Sequence, residues 1–312
     1  MPFINALPGA VAQGLVWAIM AIGVYITFRI LDIADLTVDG SFATGGAVMA
    51  IYALNSDGSA GSMIVGMLLA LAAGLVAGLI TGLIHTRLGI PPILSGILTQ
   101  LILWSVNLKI MGGKANISVS ARQYDVIIKL SDPVWAIVKT LGIVALIIIA
   151  LYLFFGTELG SAIRATGNNL KMSRAQGINV NLNKVIGLML SNGLVALSGA
   201  LLSQYQGFSD INMGRGAIVI GLAAVVIGEA IFSKIVRNFA LRLASVVFGA
   251  VIYYIVYQLV ISLGMDTDLM KMLSAIVVAI FLGIPYLKKK YLDPAVKAKK
   301  DSKNGAGGDE NA

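Results

Sequence analysis

An all-α protein threaded repeatedly through a membrane is the fold class that this sequence predicts. Two features of the composition carry the prediction. Of the 312 residues, 58% are hydrophobic and only 12% are charged, against about 25% charged in an ordinary soluble domain. The mean hydropathy is +0.88. The third observation is the continuity of the apolar runs. Several approach or exceed the ~20 residues that a helix needs to cross a bilayer. Continuous runs exclude a transmembrane β-barrel, whose strands alternate in polarity.

Nine candidate spans follow, at approximately 8–30, 40–55, 61–84, 91–109, 134–155, 185–205, 216–232, 241–263 and 269–287. The first lacks the basic flank of a signal peptide and counts as a mature span. The second and seventh are short for a full crossing and read as partial or broken helices. Before the second lies "LDIADLTVDGSFATGG", with Asp32, Asp35 and Asp39. Charge at membrane depth is costly and must face water, protein or a cavity. These aspartates fit either a hydrated loop, with Asp39 capping the short helix, or a broken helix lining a substrate path.

The third span repeats small residues every four positions, at Gly66, Ala70, Gly74, Gly78 and Gly82. Such a stripe lets another backbone approach closely. Packing within the chain is the first reading, with a dimer seam as the alternative. The fourth span carries Gln100, Trp104 and Asn107 on one helical face. The eighth carries Tyr254, Gln258 and Ser262 at a spacing of four, with Tyr253 and Tyr257 beside them. Either polar face suits interhelical hydrogen bonds or a wet channel wall. Glu229 lies near the end of the seventh span and reads as interfacial.

Between the fifth and sixth spans stands a polar insert, about 157–184, containing "GSAIRATGNNLKMSRAQGINV". Arg164, Lys171 and Arg174 supply charge, Leu170 and Met172 supply apolar contact, and Gly167 and Gly177 bracket a stretch with an asparagine cap candidate in Asn168 or Asn169. A short helix between the two glycines is expected, either solvated or seated against a partner.

Seven lysines from Lys288 to Lys303 account for most of the net charge of +8. That placement reads as a basic tail, 288–312, disordered at its end and lying near anionic membrane lipid, not as a nucleic-acid surface. Residues 1–287 form the membrane domain. The lysine and arginine bias puts the tail, the insert and the loop at 233–240 in the cytoplasm and the N-terminus outside. The outer loop 110–133, with Lys114, Arg122 and Lys129, weakens that bias without reversing it.

Two segments resemble each other. "QGLVWAIMAIGVYITFRILDIADLTVDGSFATGGAV" starts at Gln13 and "NGLVALSGALLSQYQGFSDINMGRGAIVIGLAAV" at Asn192. Each runs Gly-Leu-Val, an apolar helix, an Asp-containing interruption and a short small-residue helix. If spans 1–4 correspond to 6–9, the odd offset makes the repeat inverted, as in many transporters.

Enzyme chemistry is absent from the pattern. There is no cysteine, so no disulfide or thiolate site exists, and His85 is the single histidine. No metal-binding His-Glu-x-x-His, no nucleophile elbow and no phosphate loop of the G-x-x-x-x-G-K-[ST] type occurs. No metal site and no cofactor of the chain's own is expected. If the protein transports against a gradient, the energy is expected from another subunit.

The stretch "IRATGNNLKMSRAQGINV" and the helix after it resemble the coupling region of ABC importer permeases for branched-chain amino acids, ribose-type sugars and nucleosides. The N-terminal "ADLTVDGSFATGGAV" departs from the Ile-Asp-Leu-Ser-Val-Gly element of the sugar permeases. It is similar to the permeases of tryptophan/tyrosine-type uptake systems. The resemblance spans most of residues 8–287. It implies a type-II-like permease subunit taking up an aromatic amino acid or related small molecule, with nucleosides, sugars or branched-chain amino acids as alternatives. It also implies a second permease copy, cytoplasmic ATPase subunits that hold ATP and Mg, an extracellular or periplasmic binding protein, and a bacterial inner-membrane location. In that frame Arg164, Gly167, Asn168, Asn169, Leu170, Lys171, Met172, Arg174 and Gly177 would contact the ATPase. Asp35, Asp39, Gln100, Trp104, Asn107, Tyr254 and Gln258 are the pathway candidates, and Gly74, Gly78 and Gly82 the packing glycines. From another class, a secondary transporter or channel is the rival reading.

Overall fold

A computed structural model describes residues 2–120, 123–232 and 238–263, and single helical positions from Met272 to Gly283. Among the described residues ten α-helices follow one another: α1 (Pro2–Tyr25), α2 (Thr37–Asn55), α3 (Ala60–Arg87), α4 (Pro92–Ile110), α5 (Pro133–Gly156), α6 (Glu158–Asn168), α7 (Leu170–Ala175), α8 (Val180–Gln206), α9 (Ala217–Phe232) and α10 (Phe239–Ser262). A π-helical turn, Ile26–Ile30, extends α1. Strands β1 (Asn116–Ser118) and β2 (Phe208–Asp210) form an antiparallel ribbon, with Ile117 opposite Ser209.

Among the described residues, six helices are long and apolar enough to cross a membrane: α1 with its π turn, α3, α4, α5, α8 and α10. The expected count of nine is therefore not established. The helix α9 has 16 residues, and α2 is buried through most of its length by small polar and apolar side chains. Of the ninth span only scattered helical positions are described. The tail at 288–312 lies outside the described residues, as do Arg122, Lys234, Arg237, Asp266 and Asp268.

Local signals set the helix ends. Ser59 caps α3 by accepting from the Ser62 amide at 3.3 Å, and Asn179 caps α8 by accepting from Leu182 at 3.1 Å. Prolines open α4 and α5 at the first turn, where their missing N–H costs nothing. Gly207, at a φ of 81°, closes α8 in the left-handed region open to glycine.

Helix α8 is the centre of the bundle and is buried along most of its length. It runs antiparallel to α1, and three hydroxyls spaced seven residues apart fix the pair. Ser191 donates to the Gly23 carbonyl at 2.7 Å, Ser198 to Val16 at 2.7 Å and Tyr205 to Gly9 at 3.2 Å. Lipid gives helices little hydrophobic reason to associate, so such bonds and close small-residue packing do the work. The glycines of α3 supply the packing. A Cβ at Gly74 would strike the Asn192 carbonyl, one at Gly78 the Leu188 carbonyl, and one at Gly82 the Val185 backbone at 3.0 Å. The stripe faces α8 within the chain, which removes these three glycines from a dimer seam.

Parallel to α8 lies α2, through Ser41 against Asn192 and Gly45 against Ala196. Parallel to α1 lies α9, through Gly221 against Met20 and Val24 and through Glu229 against Arg29. Exchanging α1 with α8 and α2 with α9 thus preserves the arrangement, which is the inverted relation that the two sequence segments predict. The ribbon of β1 and β2 marks the end where α4 and α8 stop. The other end carries α6 and α7, the terminus of α1 and the α3–α4 turn, where a 3.0 Å contact between His85 Nε2 and Lys184 Nζ joins the end of α3 to the start of α8.

Candidate functional site

The polar face of α4 opens onto a cavity of about 140 Å³. Gln100, Trp104 and Asn107 line it with Asp39 and Gly40 of α2 and with Ile211 and Arg215 from the connection before α9. Their spacing on α4 presents all three side chains together. Trp104 is 43% exposed, whereas Asn107 is fully buried. Neither amide atom of Asn107 has a hydrogen-bond partner among the described residues. A buried, unmatched amide costs about 1–3 kcal/mol, and such groups mark places where a ligand or water supplies the missing partner.

Asp39 is half-buried at the edge of this cavity. Its carboxylate accepts from the amides of Gly216 at 2.9 Å and Ile218 at 3.0 Å. It therefore satisfies the free amides at the start of α9, not those of its own helix, as the cap reading expected. Its negative charge also suits a helix N-terminus.

Asp35 lies below, in the interruption between the π turn and α2, and is 2% exposed. One carboxylate oxygen accepts from the Thr37 amide at 2.9 Å and the other from the Asn192 side chain at 2.7 Å. Asn192 in turn accepts from Ser41 at 2.6 Å, and Thr37 and Thr81 share a 2.7 Å contact. Asp35 is thus enclosed in a network joining α2, α3 and α8. It does not line the cavity. Neither expectation for the aspartates, hydrated loop or path wall, describes it. Asp32 is exposed and takes a left-handed φ of 56°.

The second polar face does not join the first. Tyr254 is buried on α10, 5.8 Å from Trp17, which stacks on Phe42 at 4.8 Å. Gln258 lies one turn further along. Helix α10 packs on α1, α9 and α5, and neither residue lines the α4 cavity. A single chain therefore brings together Asp39, Gln100, Trp104 and Asn107, and leaves Tyr254 and Gln258 apart.

The insert holds two helices where one was expected. Thr157 caps α6, accepting from the Gly160 amide at 3.3 Å. Asn168 ends α6, and Asn169 breaks the run by capping α7 through the Met172 amide at 3.0 Å. Gly167 lies inside α6 and is no turn. A Cβ there would strike the Ile30 carbonyl, so its role is close approach to the end of α1. Gly177 makes the turn, at a φ of 79°. On the six-residue α7, Leu170 is 41% and Met172 57% exposed, with Lys171 and Arg174 exposed beside them. Arg164 donates to the Phe155 carbonyl at 2.7 Å and lies 5.8 Å from the Phe239 ring centre.

Three features escaped the sequence reading. Asn192 is the hub of the buried network, yet it sits among glycines and alanines whose pattern points to packing. Arg215 reaches the cavity from an irregular connection. Glu229 pairs with Arg29, whose Nε lies 2.7 Å and 2.9 Å from the two carboxylate oxygens. An arginine and a glutamate each isolated at the end of an apolar run were the available signal. Among the described residues no group of three His, Cys, Asp or Glu side chains forms a metal site.

The family model described as "Branched-chain amino acid transport system / permease component" matches residues 7–282. A tyrosine transport system permease protein of Clostridioides difficile is 38% identical over 279 residues, 89% of this chain and 91% of that one. A xylose transport system permease protein of Haemophilus influenzae is 34% identical over 90 residues, 29% of this chain and 24% of that one. Among solved structures, a chain of "PsaBC from Streptococcus pneumoniae in complex with Fab" superimposes with a TM-score of 0.52 at 16% identity. It covers 96% of this chain and 99% of that one, a likeness of fold alone. The chain is a multi-pass membrane protein and belongs to the family of branched-chain amino acid transport system permease components, as the membrane-spanning permease subunit of a transport system.

Proposed function

We propose that this chain is the permease of an ATP-driven importer of the ABC type, carrying an aromatic amino acid or a related small molecule. The observation that carries the reading is α7. Leu170 and Met172 stand exposed on a helix too short to cross a membrane, on a segment that α6 ties to the end of α1 by the close approach at Gly167. An apolar pair with flanking Lys171 and Arg174 suits a groove in an ATPase subunit, and α6 suits the transfer of its movement to α1. The ATPase, not this chain, holds ATP and Mg. The insert and the basic tail face the cytoplasm of a bacterial cell, and the ribbon of β1 and β2 faces outward toward a substrate-binding protein. Two copies of the chain enclose the path, and the α4 face with Gln100, Trp104, Asn107 and Asp39 lines it. The similarity to a tyrosine permease along nearly the whole chain supports the aromatic substrate. The shorter likeness to a xylose permease supports a sugar as the second reading.

Reconstitution tests the proposal. Vesicles containing the permease, its ATPase and its binding protein should accumulate labelled tyrosine only with ATP. Accumulation driven by an ion gradient without ATP would place the protein among secondary transporters. ATP-dependent accumulation of xylose in place of tyrosine would favour the second reading.

A further inference from the structure

We propose that the arginine-lined cavity at the α6 end of the bundle binds an anionic phospholipid, with its phosphate held by Arg164 and Arg242. The cavity has a volume of about 540 Å³ and lies between the end of α1, the last turn of α6 and the first turn of α10. Arg29, Arg164 and Arg242 line it, with Asp32 as the one carboxylate on its wall among the described residues. Arg29 is already occupied by Glu229 through both carboxylate oxygens. Arg164 and Arg242 form no salt bridge among the described residues.

Both keep donors to spare. A guanidinium has five N–H donors in a planar fork that matches a phosphate. Arg164 gives one to the Phe155 carbonyl and rests over the Phe239 ring. Arg242 shares the cavity wall with the Tyr25 side chain. Asn168 adds a neutral amide to the same wall.

A second cavity beside the first favours a lipid over a free anion. It has a volume of about 630 Å³, shares Arg164 and Phe239 with the first, and continues along the last turns of α5 past Tyr152, Leu153 and Phe155. Tyr152 is 50% and Leu153 64% exposed, in the second half of α5, which is uncharged from Leu141 onward. The two cavities together offer a charged head site and a trough of mixed polarity that runs beside the exposed Tyr152 and Leu153 of α5. Membrane-spanning helices end at this level, where phosphate groups of lipid lie. A free anion would use the first cavity and leave the trough empty. A bound headgroup would join α6 to α1 and α10, and so fix the base from which α7 projects.

The test uses the full-length chain, purified in mild detergent and exposed to equal amounts of phosphatidylglycerol and phosphatidylcholine. Native mass spectrometry then counts the lipid retained. Wild type should retain phosphatidylglycerol in about tenfold excess or more, given the pull of two arginines near a surface phosphate. The Arg164→Gln/Arg242→Gln variant should lose the excess. Arg242→Gln alone, an exposed substitution, should lose most of it and covers the case of a double variant that does not fold. Lys139→Gln, whose lysine donates to the Ile127 carbonyl beyond the far end of α5, should retain it. Equal retention of the two lipids by wild type, or an undiminished excess in both arginine variants, overturns the proposal. Displacement of the lipid by millimolar inorganic phosphate overturns it in favour of a free anion. Unchanged lipid retention with lost ATPase association would assign the cavity to the protein partner instead.

Discussion

Asn192 of α8 donates a 2.7 Å hydrogen bond to the buried carboxylate of Asp35, across 157 positions of sequence. The same amide group accepts from Ser41 of α2. Two helices and the interruption before one of them are therefore locked through a single side chain. Removing that side chain by Asn192→Ala leaves Asp35 buried with its Thr37 bond alone. The expected loss is about 1.5–3 kcal/mol for a hydrogen bond to a charged group. It should appear as a lower unfolding midpoint in detergent. Asp35→Asn should cost less, because no charge is then stranded. Wild-type midpoints in both variants would mean that the network does not hold the helices.

Close approach at the glycines gives a paired prediction. A Cβ at Gly78 would lie 2.6 Å from the Met189 Cα and strike the Leu188 carbonyl, whereas one at Gly142 of α5 would meet nothing within 4 Å. Gly78→Ala should destabilise the chain by about 1–3 kcal/mol through overpacking. Gly142→Ala should be neutral or stabilise by up to about 1 kcal/mol through helix propensity. Thermal unfolding of the two variants side by side decides it, and equal midpoints would contradict the packing.

Asn107 separates stability from transport. Its buried amide is unmatched, so Asn107→Leu removes a desolvation cost and should raise stability by about 1–3 kcal/mol. If the α4 cavity lies on the path, uptake should fall at the same time. A variant that is more stable and transports at the wild-type rate would take Asn107 off the path.

The exposed pair on α7 tests the partner contact. Leu170→Asp with Met172→Asp places two charges where an apolar groove is proposed. An unpaired buried charge costs several kcal/mol, and each 1.4 kcal/mol is a tenfold loss of affinity. The variant should insert in the membrane and keep its own unfolding midpoint, since both residues are exposed in the isolated chain. It should lose ATPase subunits on purification and lose uptake. Full ATPase stoichiometry with normal uptake would show that α7 is a solvated turn.

Sequence alone was enough for the membrane, the helical class and the limits of most helices. Apolar length and capping residues are local properties, read within one or two turns. The glycine period of α3 and the polar face of α4 were visible for the same reason, because helical geometry puts residues four apart on one side. The inverted pair of segments was visible as repeated pattern.

What the local pattern does not contain is the partner of each face. Only the tertiary structure decided that the α3 glycines meet α8, that Asp39 caps α9, and that Asp35 is enclosed by Asn192. It also separated Tyr254 from the α4 cavity and divided the insert at Asn169. These pairings join residues far apart in sequence. In a bilayer the hydrophobic effect drives insertion but gives no preference for one neighbouring helix over another. The choice falls to small-residue contacts and single hydrogen bonds, such as those from Ser191, Ser198 and Tyr205 to α1. Each depends on where a distant backbone lies and has no signature of its own along the chain.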